Sequence, residues 1–104
     1  MREANPSQTP RRSRLERQLD ILSHIAAHGP IRRTHIMYKA NVSWEELNKD
    51  LGTLKLLGLV AENPSKEGVF YTATETGRTV LAHYRQVEEA LKVSRSNLQS
   101  SPSF

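Results

Sequence analysis

Apolar residues recur every three or four positions from Leu15 through Leu19, Leu22, Ile25 and Ala26, which draws one apolar stripe along a helix starting near Ser13. Gly29-Pro30 ends it: glycine suits the left-handed position after a helix, and proline cannot continue the hydrogen-bond ladder. A second helix of about two turns fits Arg32 to Ala40, with Ile36, Met37 and Ala40 inward and Asn41 suited to a left-handed exit. Ser43-Trp44-Glu45-Glu46 reads as a capping box, in which the Ser43 hydroxyl accepts from a first-turn amide and Glu46 reaches back to the Ser43 amide. The helix this opens carries Leu47, Leu51, Leu54 and Leu57 on one face and stops at Gly58. Its outward face is Glu45, Asn48, Lys49, Gly52, Thr53 and Lys55.

The period then changes. Leu59-Val60-Ala61-Glu62 and Val69-Phe70-Tyr71-Thr72 are β-prone runs joined by the turn-rich Asn63 to Gly68, a pattern that predicts a hairpin. Thr74 can cap a fourth helix from Glu75 to about Arg95. Residues 1–12 have no apolar period and contain Pro6 and Pro10, while 96–104 are Ser-rich. A disordered basic arm (1–12), one folded domain (13–95) and a disordered tail (96–104) are expected. The fold class is mainly α with a small β-hairpin, in the element order of a winged helix-turn-helix with a C-terminal helix.

Composition narrows the function. The chain carries a net charge of +4 and a pI near 9.8, which invites a nucleic-acid partner. Five arginines against two glutamates fall within residues 1–17, leaving ten basic and nine acidic side chains for 18–104. The basicity is thus mostly in the arm. The absence of cysteine excludes disulfides, thiol catalysis and cysteine-bound zinc. No apolar run reaches the roughly 20 residues of a membrane span, and no apolar segment near Met1 suggests a signal peptide; a cytoplasmic, nucleoid-associated protein with no membrane partner is expected. The chain lacks a glycine-rich phosphate loop, a nucleophile elbow, an H-E-x-x-H pair and paired carboxylates on a pocket-forming scaffold. Neither an enzyme nor a cofactor nor a small-molecule substrate is expected. His24 and His28 are four apart but have no third metal ligand at matching spacing, and are expected to face water as ordinary polar side chains.

The wording of three segments is more distinctive than their order: Ile36-Met37-Tyr38-Lys39-Ala40-Asn41-Val42-Ser43, Leu57-Gly58-Leu59-Val60, and Tyr71-Thr72-Ala73-Thr74-Glu75-Thr76-Gly77. Together they resemble the small archaeal winged-helix DNA-binding proteins, whose chromatin-type members dimerise through an antiparallel coiled coil. The resemblance spans roughly residues 15–92 and implies a double-stranded DNA partner and an archaeal or archaeal-viral setting. The chain departs from the chromatin-type members in its short last helix and its two Ser/Pro-containing tails.

On this reading the helix 43–57 enters the major groove. Asn48 suits adenine edges, Lys49 guanine or phosphate, and Ser43 and Thr53 phosphate. Arg32 and Arg33 open the second helix, the end that meets the DNA backbone in this architecture. Lys39 is a weaker candidate on that helix, and Tyr38 is expected to pack half-buried. Lys66 sits in the wing, offset by Glu67, and Arg11, Arg12 and Arg14 form an arm suited to phosphate or a narrow minor groove. Glu45, Glu46 and Asp50 stand against this assignment as charges near phosphate. Trp44 is expected as a core anchor. Val80, Tyr84, Val87 and Leu91 alternate by four and three, the spacing of a coiled-coil seam, and imply a homodimer presenting two recognition helices; Leu98 would extend the seam. The alternative is a protein-interaction module that keeps this scaffold without binding DNA.

Overall fold

The computed structural model describes the backbone of residues 12–100 and the side chains of residues 12–92. The elements run α1 (Arg14–His28), α2 (Arg33–Ala40), α3 (Trp44–Leu56), β1 (Val60–Ser65), β2 (Gly68–Ala73) and α4 (Glu75–Ser100). This is the mainly helical, hairpin-bearing winged helix-turn-helix that the spacing predicts.

Local chemistry sets most boundaries. Ser43 and Glu46 form the expected capping box, and Ser13 with Glu16 forms a second one at the start of α1. Each satisfies amides that a helix start leaves without partners. α3 ends in a Schellman arrangement: the Gly58 amide donates to Lys55 and the Leu59 amide to Leu54, with Gly58 at φ 75°. Asn41 takes the left-handed conformation at φ 55°, ψ 56°, which turns the chain sharply from α2 into α3. Gly29 departs from expectation, since it is extended at φ −66°, ψ 152°. Glycine serves there for close approach instead: an added Cβ would lie 2.7 Å from the Ile25 carbonyl oxygen and 3.0 Å from that of Tyr71.

The core gathers Ile21, Leu22 and Ile25 of α1, Ile36 and Ala40 of α2, Leu47, Leu51 and Leu54 of α3, Val60, Tyr71 and Ala73 of the hairpin, and Leu81 of α4. Burying each large member contributes about 1.5–3 kcal/mol. α1 is central, touching α2, α3, α4 and β2, and so buries Ile21 beside the expected stripe. Leu15 and Leu57, expected inward, are exposed. Helical spacing gives the direction of a stripe but not how far neighbouring elements reach along it.

The hairpin is longer than its apolar runs. Val60 pairs with Ala73 and the register continues to Ser65 opposite Gly68, which shrinks the expected six-residue connection to Lys66 and Glu67. Pro64 sits inside β1. An edge strand tolerates the missing amide, because β1 pairs on one side only. On the other side of β2, Ile31 bridges to Tyr71.

α4 runs to Ser100, five residues beyond the expected end and about 39 Å long at 1.5 Å per residue. Five residues of the expected tail are thus helical. Residues 1–11 and 101–104 of the expected arm and tail lie outside the described residues. Among the described residues no helix is long and apolar enough to cross a membrane.

Candidate nucleic-acid interface

In this fold the outward face of α3, the start of α2 and the hairpin share one side through a chain of polar contacts. Arg33, the first residue of α2, donates from Nε to the Tyr71 hydroxyl at 2.8 Å and from Nη1 to Asn48 Oδ1 at 2.8 Å. Its guanidinium carbon lies 5.6 Å and 5.9 Å from the ring centroids of Tyr71 and Trp44, within cation–π range. The Tyr71 hydroxyl donates to Glu62 Oε2 at 2.8 Å, and Lys55 Nζ donates to Glu62 Oε1 at 2.7 Å. One knot therefore joins α2, both strands and two turns of α3.

The knot tunes its own groups. Burial, reinforced by the bond to Glu62, raises the Tyr71 hydroxyl above its ordinary pKa. The Lys55 and Tyr71 hydrogen bonds lower the Glu62 carboxyl below its ordinary 4.5. A carboxylate depressed in the folded state adds stability above its unfolded pKa, and that stability is lost as pH falls through the lower folded value. The melting temperature of Glu62→Gln should therefore fall less steeply than that of the unaltered protein as pH drops below 4.5. Parallel pH profiles would remove Glu62 from the knot.

The remaining acids are placed differently from expectation. Asp50, counted from sequence among the charges near phosphate, is 1% exposed. It accepts from Arg17 Nε at 2.5 Å, Arg17 Nη2 at 3.1 Å and Gln18 Nε2 at 3.2 Å. Glu46 is held by the Ser43 amide, which, with help from Arg17, keeps its carboxyl below the usual glutamate range. Glu45 is exposed on the outward face. Two of the three acids on α3 are thus turned inward or tied to the helix cap.

Among the sequence candidates, Lys49 of α3 and Lys66 of the hairpin turn are exposed, as is Arg14 at the start of α1. Arg32 precedes α2 at its N-cap position without a side-chain capping bond; it donates to the Glu67 carbonyl at 2.8 Å and lies over the Phe70 ring at 5.0 Å, bracing the hairpin turn against α2. The Ser43 hydroxyl is occupied by the Glu46 amide, and Thr53 donates to the Lys49 carbonyl at 3.2 Å. Arg12 does not belong to a loose arm. It pairs with Asp20 at 2.6 Å and donates to the Asn41 carbonyl at 3.0 Å, which fastens the chain beside the α2–α3 turn. Arg11 lies outside the described residues.

Both aromatic expectations fail. Trp44 is 50% exposed and Tyr38 is 76% exposed. An aromatic one residue into a capped helix faces whichever side the cap turns it toward, and here that is the side of Arg33. The sequence does not give the partners that Arg17 and Gln18 provide to buried Asp50, or that Lys55, Glu62 and Tyr71 provide to one another. They come from α1, the far end of α3 and the strands, and no local spacing links them. His24 and His28 stack at 6.2 Å, with His24 Nε2 4.0 Å from Asp20 Oδ1, but among the described residues no group of three metal-binding side chains assembles.

Solved structures share this architecture. CouR, a transcriptional repressor bound to a 23-mer DNA duplex, superposes with a TM-score of 0.70 at 17% identity, covering 80% of this chain and 61% of that one. Sso10a-2, a DNA-binding protein from Sulfolobus solfataricus, gives 0.66 at 22% identity over 89% of this chain and 99% of that one. FabT of Streptococcus pneumoniae in complex with DNA gives 0.63 at 12% identity over 83% and 61%. The chain therefore spans about six-tenths of the length of the CouR and FabT chains, and at such identities the likeness is one of fold. A search of the curated proteins finds no match. The sequence itself matches the winged helix-turn-helix family across residues 11–92, and the chain belongs to that family.

Proposed function

We propose that this protein binds double-stranded DNA as a transcription regulator or chromatin-type protein, with α3 in the major groove and the hairpin as its wing. The observation that carries the reading is the fate of the acids. Asp50 is buried on Arg17, Glu46 is held at its cap, and Glu62 is held by Lys55 and Tyr71, while Lys49 and Lys66 remain exposed on α3 and the hairpin turn. With only Glu45 of α3 and Glu67 of the hairpin turn left as exposed acids there among the described residues, the face suits a polyanion better than its bare sequence charge suggests. In this role Lys49, Lys66 and Arg14 meet phosphate, Thr53 does so by giving up its bond to the Lys49 carbonyl, and Arg11 follows the backbone with those Arg12 donors not spent on Asp20 and Asn41. Arg32, Arg33 and Ser43 hold the geometry while turning their remaining donors toward the duplex. Asn48 reaches base edges. Binding without catalysis is the activity, and nucleoid DNA inside the cell is its setting.

A homodimer belongs to the same reading. Val80, Tyr84, Val87 and Leu91 form one stripe on α4; Tyr84 packs partly on the core, whereas Val87 and Leu91 are 55% and 57% exposed. A second copy laid antiparallel along α4 would cover them and set two α3 helices on successive major grooves. The fold likeness to Sso10a-2, a DNA-binding protein, over 99% of that chain supports the DNA-binding reading.

A gel-shift titration of the full chain on duplex DNA across salt concentrations tests the DNA reading. The logarithm of affinity should fall linearly with the logarithm of salt, with a slope of about −0.9 per neutralised phosphate, and Lys49→Ala should reduce that slope by about 1. Absence of duplex binding at low salt, with a salt-resistant protein complex instead, would make the chain an interaction module. Sedimentation of the same preparation should give a dimer, reduced to a monomer by Val87→Glu with Leu91→Glu; a dimer that persists removes α4 as the seam.

A further inference from the structure

We propose that Arg33 sets the base preference of this protein by holding the Asn48 carboxamide as a donor, so that α3 selects guanine over adenine at the base pair Asn48 meets. The inference rests on the DNA-binding reading above and adds which base edge is read and why.

A guanidinium has donors only, so the Asn48 atom 2.8 Å from Arg33 Nη1 is the carbonyl oxygen, and the Nδ2 amide points the other way. Arg33 has little liberty to release it. Its Nε donates to a hydroxyl that itself donates to Glu62, so the tyrosine proton is committed and its oxygen accepts. Tyr71 is fully buried, and the Tyr71 and Trp44 rings lie within 6 Å of the guanidinium carbon. Turning the Asn48 oxygen away would strip a half-buried cation of an acceptor, which is more costly than losing a neutral hydrogen bond. The directions of donation are therefore fixed: Arg33 donates to the Tyr71 hydroxyl, which donates on to Glu62, and Arg33 donates to the Asn48 oxygen. Among the described residues Asn48 Nδ2 has no acceptor, and Asn48 lies half-buried on α3 next to the exposed Lys49.

Paired recognition of adenine requires an asparagine to accept from N6 while donating to N7. The Arg33 bond takes one of the two lone pairs of the Asn48 oxygen and turns that oxygen toward α2, so the group left to face the bases is the Nδ2 amide with its two N–H groups. Guanine presents two adjacent acceptors, O6 and N7, to such a pair, whereas adenine opposes one N–H with its own amino group. A lone asparagine on a recognition helix suggests adenine; the Arg33 bond reverses that preference. Arg33 is accordingly a positioning residue, and its signature is a change in which base is chosen rather than in affinity alone.

The test is selection of the full chain from a randomised duplex pool, then competition between duplexes differing at one base pair. The unaltered protein should prefer guanine over adenine by about tenfold at one position, within the range of a good side-chain–base contact. Arg33→Met releases the oxygen and should move that position toward adenine. Asn48→Asp keeps a partner for Arg33, and with it the fold, but replaces donors by acceptors; it should lose guanine and favour cytosine, whose N4 donates. The proposal is overturned if the unaltered protein selects adenine at the position Asn48→Asp alters, or if guanine persists in Asn48→Asp. Duplex binding with no preference that responds to either variant overturns this inference and leaves DNA binding standing. Failure to bind any duplex at low salt overturns both.

Discussion

Gly77→Ala should lower the melting temperature by about 15 °C. Helix propensity alone predicts the opposite sign, since alanine in a helix interior is favoured over glycine by about 1 kcal/mol. The structure decides otherwise, because a Cβ at position 77 would overlap the Leu59 carbonyl oxygen and stand 3.3 Å from a Leu22 methyl. That oxygen accepts from the Thr74 amide at 3.0 Å, and the Thr74 hydroxyl in turn donates to the Gly58 carbonyl at 2.7 Å and accepts from the Gly77 amide. The start of α4 is thus fastened to the end of α3, and neither side can retreat without breaking a cap. Overpacking of this kind costs about 3 kcal/mol, and each kcal/mol shifts the midpoint by about 4–8 °C in a domain this size. Gly52→Ala is the control. It lies in α3 with nothing within 4 Å of an added Cβ and should stabilise by about 0.5–1 kcal/mol. If thermal melts show both variants gaining stability, the packing of α4 against Leu59 is wrong.

Asp50→Ala should destabilise by about 3–5 kcal/mol, measured by urea unfolding, because it removes one partner of a buried ion pair and leaves the other behind. Arg17 is itself only 19% exposed, so its guanidinium cannot recover full hydration. Replacing both partners with apolar residues, as in Arg17→Met with Asp50→Leu, should restore most of the loss, since the desolvation of both charges disappears together. The same experiment separates two views of the recognition helix. Were Asp50 an exposed acid facing phosphate, its removal would cost under 1 kcal/mol and tighten DNA binding. Loss of stability without such tightening is the outcome that fits a carboxylate used to tie α3 to α1.

The features legible in the sequence are those written within about six consecutive residues. The Ser43–Glu46 box, the left-handed Asn41 and the glycine stop at Gly58 each follow from one side chain meeting nearby backbone, so their spacing carries them. Ser13–Glu16 has the same form, but its place beside a proline-containing segment hid it. What stayed illegible depends on distant partners. Asp50 looks like any acid on a helix until Arg17, thirty-three residues earlier, is folded onto it. Arg33 and Asn48 were both named as candidates, yet their bond to one another, and the link through Tyr71 to Glu62, arise only when α2, α3 and the hairpin share a face. Leu15 and Leu57 follow the helical period and still face water, because amphipathic spacing does not record where the covering elements end. The hairpin shows the same limit: the turn-like composition of Asn63-Pro64-Ser65 predicts shorter strands, but pairing opposite Phe70, Val69 and Gly68 overrides it.

On the proposed function, the face built by α3, the first turn of α2 and the hairpin turn holds duplex DNA. Titrating the isotopically labelled full chain with a duplex and following backbone amide shifts tests it most directly. The amides of Asn48, Lys49, Gly52, Thr53, Lys66 and Glu67 should move together, saturate at a common ratio and return as salt is raised. Shifts confined to the groove between α1 and α4, lined by Leu19, Leu81 and Tyr84, or an unchanged spectrum at low salt, would contradict it.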